Sequence, residues 1–329
     1  MSHRPFMKNI VIQLANVNKR FGALHAVRDV SFEIQRGQVC GFLGPNGAGK
    51  STTIRMIMSI LLPDSGTIRV LDGSALDAKD RIGYLPEERG VYRKMRVADF
   101  LRFIAKLKGI SRADADTRIR AWLERVELPG ISHKRCEELS KGMQQKLQFI
   151  ASVLHAPPLL ILDEPFSGLD PVNRRLLSSV VRQLKESGTT ILFSTHQMEQ
   201  AEDLCDQILL IHKGEKVLDE TMGVIHGRFD PRTILAEPAN AIDVASASLQ
   251  HVLNIESFRW SVEQKAFEIR VAEGIDPQLA MANIMRATPL RRVELQRATL
   301  DDVFVKLVGG TVVEIESAQK SRTAQVNHG

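Results

Sequence analysis

Cysteine is scarce. The three in this 329-residue chain, Cys40, Cys136 and Cys205, are widely separated and odd in number, and none belongs to a C-x-x-C pair. That argues against a disulfide framework, a thiolate zinc site and a dithiol redox centre, and leaves buried, inert thiols as the reading. Long apolar runs are also missing: the longest aliphatic stretches, such as residues 159–162 and 208–211, fall far short of the ~20 residues that a bilayer-crossing helix needs. The N-terminal MSHRPFMKNIVIQ has neither an apolar h-region nor a small-residue cleavage site, so a cytoplasmic location is expected rather than secretion. Nor is there a block of like charge. The 44 basic and 39 acidic residues leave +5, which permits contact with phosphates or an anionic surface but demands neither. No internal repeat is found.

What is present is ordinary globular composition, 43% hydrophobic and 25% charged, in a chain long enough for about two domains of ~150 residues. Apolar alternation at Ile10, Ile12 and Leu14, and again at Val30, Phe32 and Ile34, predicts two opening strands. A short buried strand over residues 39–43 runs into GPNGAGKST, after which Ile54, Ile57, Met58 and Leu61 recur at helical spacing up to Pro63. Stripes at Phe100, Leu101, Ile104 and Leu107 and at Ile119, Trp122, Leu123 and Val126 predict an inserted helical subdomain over about residues 95–155. The unbroken apolar run 159–162 suits a parallel strand covered on both faces. A helix from Pro171 to Gly188 and a strand over 190–193 complete a parallel crossover, and Lys213-Gly214 marks a closing hairpin.

Past Arg228 the texture changes through the linker FDPRT, and a second domain is expected over 229–310. Phe258, Trp260 and Val262 alternate, as do Phe267, Ile269 and Val271, giving a hairpin. Asp276-Pro277 opens a helix with Leu279, Ala282 and Met285 on one side; a strand through Val293 and Leu295 and a last helix bearing Leu300, Val303, Phe304 and Leu307 follow. Residues 311–329 read as a flexible polar tail.

Residues 44–51 fit G-x-x-x-x-G-K-[ST] in the required setting, a strand before and an amphipathic helix after. Gly44, Pro45, Asn46, Gly47, Ala48 and Gly49 would form a loop whose backbone N–H groups face a polyphosphate, with Gly47 and Gly49 avoiding Cβ clashes. Lys50 would reach the β- and γ-phosphates, the Ser51 hydroxyl would ligate Mg²⁺, and Thr52 would help hold the α-phosphate. Asp163 and Glu164 end the apolar strand in two adjacent carboxylates, an unfavourable arrangement unless a cation or substrate uses them. Asp163 is the expected Mg²⁺ partner and Glu164 the expected general base.

Together these pieces resemble the nucleotide-binding subunit of ABC transporters over residues 8–228. Leu139-Ser140-Lys141-Gly142-Met143 resembles the family's LSGGQ signature, with Ser140 a plausible helix N-cap and Met143 in place of glutamine. The resemblance implies that Ser140 and Gly142 meet ATP held by the opposite subunit. Ser167-Gly168-Leu169-Asp170 resembles the D-loop, and His196 matches the switch histidine expected at the γ-phosphate. Residues 82–87 resemble the Q-loop segment, with Glu87 where glutamine is usual, which makes Glu87 a candidate metal ligand. Phe21 matches the aromatic that stacks on adenine; a core phenylalanine is the competing reading. GYLPEERGVYRKM resembles a bacterial exporter subgroup that includes sodium- and drug-efflux ATPases, and the C-terminal LDDVFVKLVGG resembles that subgroup's accessory domain.

The expected fold is therefore α/β, a P-loop ABC ATPase domain with a mixed sheet core and a helical subdomain, followed by a small α+β domain. The resemblance implies ATP and Mg²⁺ as ligands, a homodimer around two ATP, and export through separate integral-membrane permease subunits docked beyond Glu87. No nucleic acid is expected. A soluble ABC ATPase acting on ribosomes or DNA would use the same engine, but one Gly-Lys-Ser loop and no sustained heptads favour transport. A P-loop kinase leaves Ser140, Gly142 and His196 unexplained.

Overall fold

The computed structural model describes residues 9–88, 90–229, 232–296 and 298–308. The tail 311–329 and the linker's Asp230-Pro231 lie outside the described residues. The chain divides into two compact units between Met222 and Gly223.

In the first unit, β1 (Ile10–Phe21), β2 (Leu24–Gln35) and β4 (Ser65–Val70) form an antiparallel sheet in the order β2-β1-β4. A second sheet has the order β5-β6-β7-β3-β8-β9, built from β3 (Val39–Leu43), β5 (Ile82–Leu85), β6 (Leu159–Asp163), β7 (Thr190–Thr195), β8 (Gln207–His212) and β9 (Glu215–Thr221). Its first five strands are parallel and β9 is antiparallel to β8. Every residue of β3, β6 and β7 is buried, as expected of parallel strands covered on both faces. The β8–β9 turn is tight because Lys213 (φ 48°) and Gly214 (φ 85°) both take the left-handed conformation. Side chains of both sheets, among them Ile12, Val30, Phe32, Phe42, Ile161 and Leu209, share one core with Ile54 of the helix that follows β3.

α1 (Lys50–Ile57) ends sooner than Pro63 suggests: Met58 caps it and Ser59 turns left-handed at φ 54°. The helical insertion comprises α2 (Val97–Leu107), α3 (Arg112–Arg125) and α4 (Lys141–Val153). Phe100 and Leu101 bury α2, whereas Leu107 at the end of its predicted stripe is exposed. α5 (Pro171–Glu186) has Asp170 as its N-cap, accepting from Asn173 N–H at 2.9 Å, with proline at the first helical position. α6 (Met198–Leu204) follows β7.

The second unit opens with α7 (Met222–Arg228), which straddles the division. Then come β10 (Thr233–Pro238), α8 (Ile242–Leu249), β11 (Ile255–Ser261), β12 (Ala266–Val271), α9 (Pro277–Ala287), β13 (Leu290–Leu295) and α10 (Leu300–Val308). The four strands form an antiparallel sheet in the order β11-β12-β10-β13. Two sequence expectations need correction here. Val262 leaves the hairpin ladder, which closes with Ser261 opposite Ala266. α9 turns the other face inward: Ala280 and Ile284 are buried, while Leu279 and Met285 are exposed.

Candidate active site

The parallel order β5-β6-β7-β3 brings the C-terminal ends of four strands together, the place where an open α/β sheet presents a crevice. The loop 44–49 leaves β3, Glu164 follows β6, His196 follows β7 and Glu87 follows β5. A cavity of about 500 Å³ opens there, lined by Phe21, Asn46, Gly47, Gly49, Lys50, Ser51, Thr52, Glu87, Asp163 and Glu164 of the expected set.

The glycine loop is shaped by the protein's own backbone as much as by a ligand. A Cβ on Gly44 would stand 2.2 Å from the Ile211 carbonyl oxygen, and one on Gly49 would stand 2.5 Å from that of Ala26. Gly47 meets open space and needs glycine for its φ of 78° alone. Gly49 caps α1 with no side-chain hydrogen bond, so the first N–H groups of the helix lack a side-chain acceptor and are suited to an anion. Lys50 is buried and donates to the carbonyl oxygens of Gly44 at 2.6 Å and Pro45 at 3.2 Å. Burial pushes its ammonium pKa down, and the carboxylates of Glu164, Asp163 and Glu87 oppose that shift.

The β6–β7 register places Asp163 beside Ser194, whose hydroxyl donates to Asp163 Oδ1. Asp163 is held above the usual carboxylate range by burial, against the hydrogen bonds from Ser194 and Ser51. Glu164 takes the left-handed conformation at φ 49°, uncommon for a residue with a side chain and a form of local strain that collects at working sites. That turn carries its carboxylate to the end of β7. There Oε1 accepts from the His196 backbone N–H at 2.9 Å and lies 2.8 Å from the ring Nδ1, and Oε2 accepts from the Thr195 hydroxyl at 3.4 Å. An ionised carboxylate only accepts, so the Nδ1 facing it carries the hydrogen. Glu164 is largely buried and His196 about half exposed, with side-chain exposures of 11% and 46%.

Phe21 is 48% exposed at the cavity wall, which removes the core reading, and Lys19 Nζ stands 5.7 Å from its ring centroid. Ser140 caps α4, accepting from Met143 N–H at 3.3 Å; the methionine side chain cannot return the bond, so no capping box forms. Neither Ser140 nor Gly142 lines the cavity of its own chain. α4 is nonetheless tied to the segment that follows Glu164, because Gln145 donates to the Pro165 carbonyl at 2.9 Å and Lys146 to Asn173 at 2.8 Å. Three lining residues escape the sequence reading: Leu24, Ala26 and Arg55. Leu24 and Ala26 arrive because β1 and β2 pair across Phe21 and Leu24; Arg55 lies one turn beyond Ser51 on α1, and that i+4 spacing is the signal that points to it.

A family model described as ABC transporter matches residues 27–167. The chain is 39% identical over 302 residues to the uncharacterized ABC transporter ATP-binding protein YhaQ of Bacillus subtilis, covering 91% of this chain and 99% of that protein. It is 32% identical over 302 residues to the Nod factor export ATP-binding protein I of Burkholderia lata, covering 91% and 97% of the two chains. A solved ATP-binding subunit of an ABC transporter superposes with a TM-score of 0.63 at 30% identity, over 73% of this chain and 99% of that one. With that likeness along nearly the whole length and a glycine-rich loop facing paired carboxylates across one cavity, the chain belongs to the ABC transporter ATP-binding subunits, an ATPase family.

Proposed function

We propose that this subunit hydrolyses ATP in a site shared by two copies and that the cycle drives export through separate membrane permease subunits at the cytoplasmic face. The observation that carries the reading is the Glu164 carboxylate, strained out of β6 and clamped by His196 at the wall of the Lys50 cavity.

The glycine loop and the α1 N-terminus bind the polyphosphate, Lys50 exchanges its loop carbonyls for phosphate oxygens, and Phe21 meets the base. Glu164 accepts a proton from the attacking water, and His196, whose Nδ1–H is committed to Glu164, presents its other ring nitrogen toward the γ-phosphate. Ser51 and Asp163, with Glu87 on the same cavity, offer hard oxygen donors suited to Mg²⁺. Burial of Asp163 next to Glu164 also favours a cation between them and the ligand. When bound, Mg²⁺ neutralises charge on the terminal phosphates.

Ser140 and Gly142 stand apart from the cavity of their own chain, as composite sites require. No helix among the described residues is long and apolar enough to cross a membrane, so transport needs a partner that does. A second cavity of about 370 Å³, between β5, α2 and α4 and lined by Tyr84, Pro86, Phe100, Ile104 and Gln148, adjoins the Glu87 segment and supports docking there. Export rather than another cargo follows the relative named for Nod factor export.

The test is phosphate release by the full chain, with Lys50→Ala as control, followed by recovery of native partners. Lys50-dependent phosphate release and co-purification of an integral membrane protein are expected. Selective recovery of ribosomes or nucleic acid, or transfer of the phosphoryl group to a small acceptor, would overturn the reading.

A further inference from the structure

The second unit is not used by the cycle proposed above, and its topology is informative. β10, α8, β11, β12, α9 and β13 run β-α-β-β-α-β, and the sheet order β11-β12-β10-β13 is that of a split βαβ unit. One face of the sheet is covered: Ala245 and Leu249 of α8 and Ala280 and Ile284 of α9 share a core with Ile234, Ala236, Phe267, Ile269 and Val271. Phe258 and Trp260 also pack on that core, each against Phe267. On the strands, Arg259 is matched by Glu268 and Arg270 by Glu256, and the other charged residues of the cavity of about 760 Å³ that they line, Arg232 and Lys306 against Glu273 and Asp302, are equal in number, so no net charge draws a ligand.

The edge strand β13 differs. It is hydrogen-bonded to β10 alone among the described strands. Gln296 N–H donates to the Thr233 carbonyl at 2.7 Å, which sets the alternation of the ladder. Glu294 and Arg292 therefore turn their backbone N–H and C=O toward β10, where they oppose Leu235 and Glu237. Val293 and Leu295 turn theirs to the open side. Arg292 and Glu294 are only loosely engaged within the chain: Arg292 donates to the Gln264 carbonyl at 3.4 Å and reaches Glu237 at 3.8 Å and Glu294 at 4.0 Å, with exposures of 42% for Arg292 and 49% for Glu294.

We propose that β13 pairs antiparallel with β13 of a second copy about a twofold axis at Val293, joining two four-stranded sheets into one of eight. The two Val293 residues exchange N–H···O=C bonds, and Arg292 of each copy stands opposite Glu294 of the other. Those residues form the non-hydrogen-bonded pairs, in which side chains approach most closely. The sequence Arg-Val-Glu is thus self-complementary in an antiparallel register, which a twofold interface requires. The other edge, β11, is not: pairing about Phe258 would set Ser257 against Arg259.

The experiment uses the full chain without nucleotide. Val293→Cys should form an intermolecular disulfide on mild oxidation, since the native Cys40, Cys136 and Cys205 are all buried, while Ser257→Cys on β11 should not. In sedimentation, Arg292→Glu and Glu294→Arg should each weaken the nucleotide-free dimer about tenfold, and the double exchange should restore it. A monomer at every concentration with no Val293→Cys cross-link, or a double exchange no better than its parents, overturns the proposal. Nucleotide-driven pairing of the same variants, measured separately, should be retained in the charge-exchange series. Loss of ATP binding with the β13 dimer intact would count against the proposed function and not against this interface.

Discussion

Replacing Glu164 by glutamine isolates the base without disturbing its setting. The amide keeps an acceptor oxygen for the His196 backbone N–H, now at 2.9 Å, and for Nδ1–H at 2.8 Å, and glutamine has nearly the same size. What it loses is the ability to take a proton. A positioned general base contributes about 10²–10⁴ in rate. At ~1.36 kcal/mol per decade, that raises the barrier by about 3–5 kcal/mol. Lys50, the glycine loop and the α1 N-terminus are untouched, so nucleotide affinity should stay within about threefold of the parent. The assay is single-turnover phosphate release beside equilibrium binding of labelled ATP. Turnover within about threefold of the parent would refute the base assignment. Lost affinity with unchanged turnover of bound ATP would make Glu164 a ligand-binding group instead.

Other consequences can be checked together. Phe21→Ala should leave thermal stability unchanged, because the ring is 48% exposed, yet weaken ATP binding about 5- to 100-fold through lost stacking; a lower melting temperature with unaltered affinity would return Phe21 to a packing role. Gly44→Ala should unfold the chain or destabilise it by more than about 3 kcal/mol, since the new methyl collides with the Ile211 carbonyl, whereas Gly47→Ala should cost about 1 kcal/mol for its φ alone; denaturant midpoints separate the two. His155 has its pKa lowered to about 4 by burial, with Lys108 adding to the effect, so the unfolded chain binds the proton more readily. Stability from this group is full above the ordinary histidine range and is lost as pH falls from about 6.5 toward 4, by up to about 3 kcal/mol. His155→Gln should flatten that part of the urea-midpoint profile, and an unchanged slope would contradict the assignment.

The parts of the site that depend on local spacing were legible in the sequence. The glycine loop, Lys50 and Ser51 are consecutive, and the strand and helix around them are set by short apolar patterns. Asp163 and Glu164 stood out because two carboxylates ending an apolar run call for a partner. The clamp between Glu164 and His196 was not legible from residue types, since it needs the β6–β7 register and the left-handed turn at Glu164. Phe21 could not be told from a core residue until the β1–β2 pairing put it at the cavity wall. In the second unit, hydropathy favoured Leu279 and Met285 on α9, but Ala280 and Ile284 are the residues that settle on the core. Alanine contributes little to an apolar pattern, yet its small side chain lets a helix approach a sheet closely. The glycines at 44 and 49 were assigned to the ligand, and the structure gives them a second cause in the carbonyls of Ile211 and Ala26.

The claim that each site is shared between two chains is tested most directly by mixing two inactive variants. Lys50→Ala disables the loop of its own chain, and Ser140→Arg disables the signature helix that serves the other. In a one-to-one mixture half the dimers are mixed, each with one site free of both defects, so activity should return to about a quarter of the parent. A mixture as inactive as its components would contradict the account.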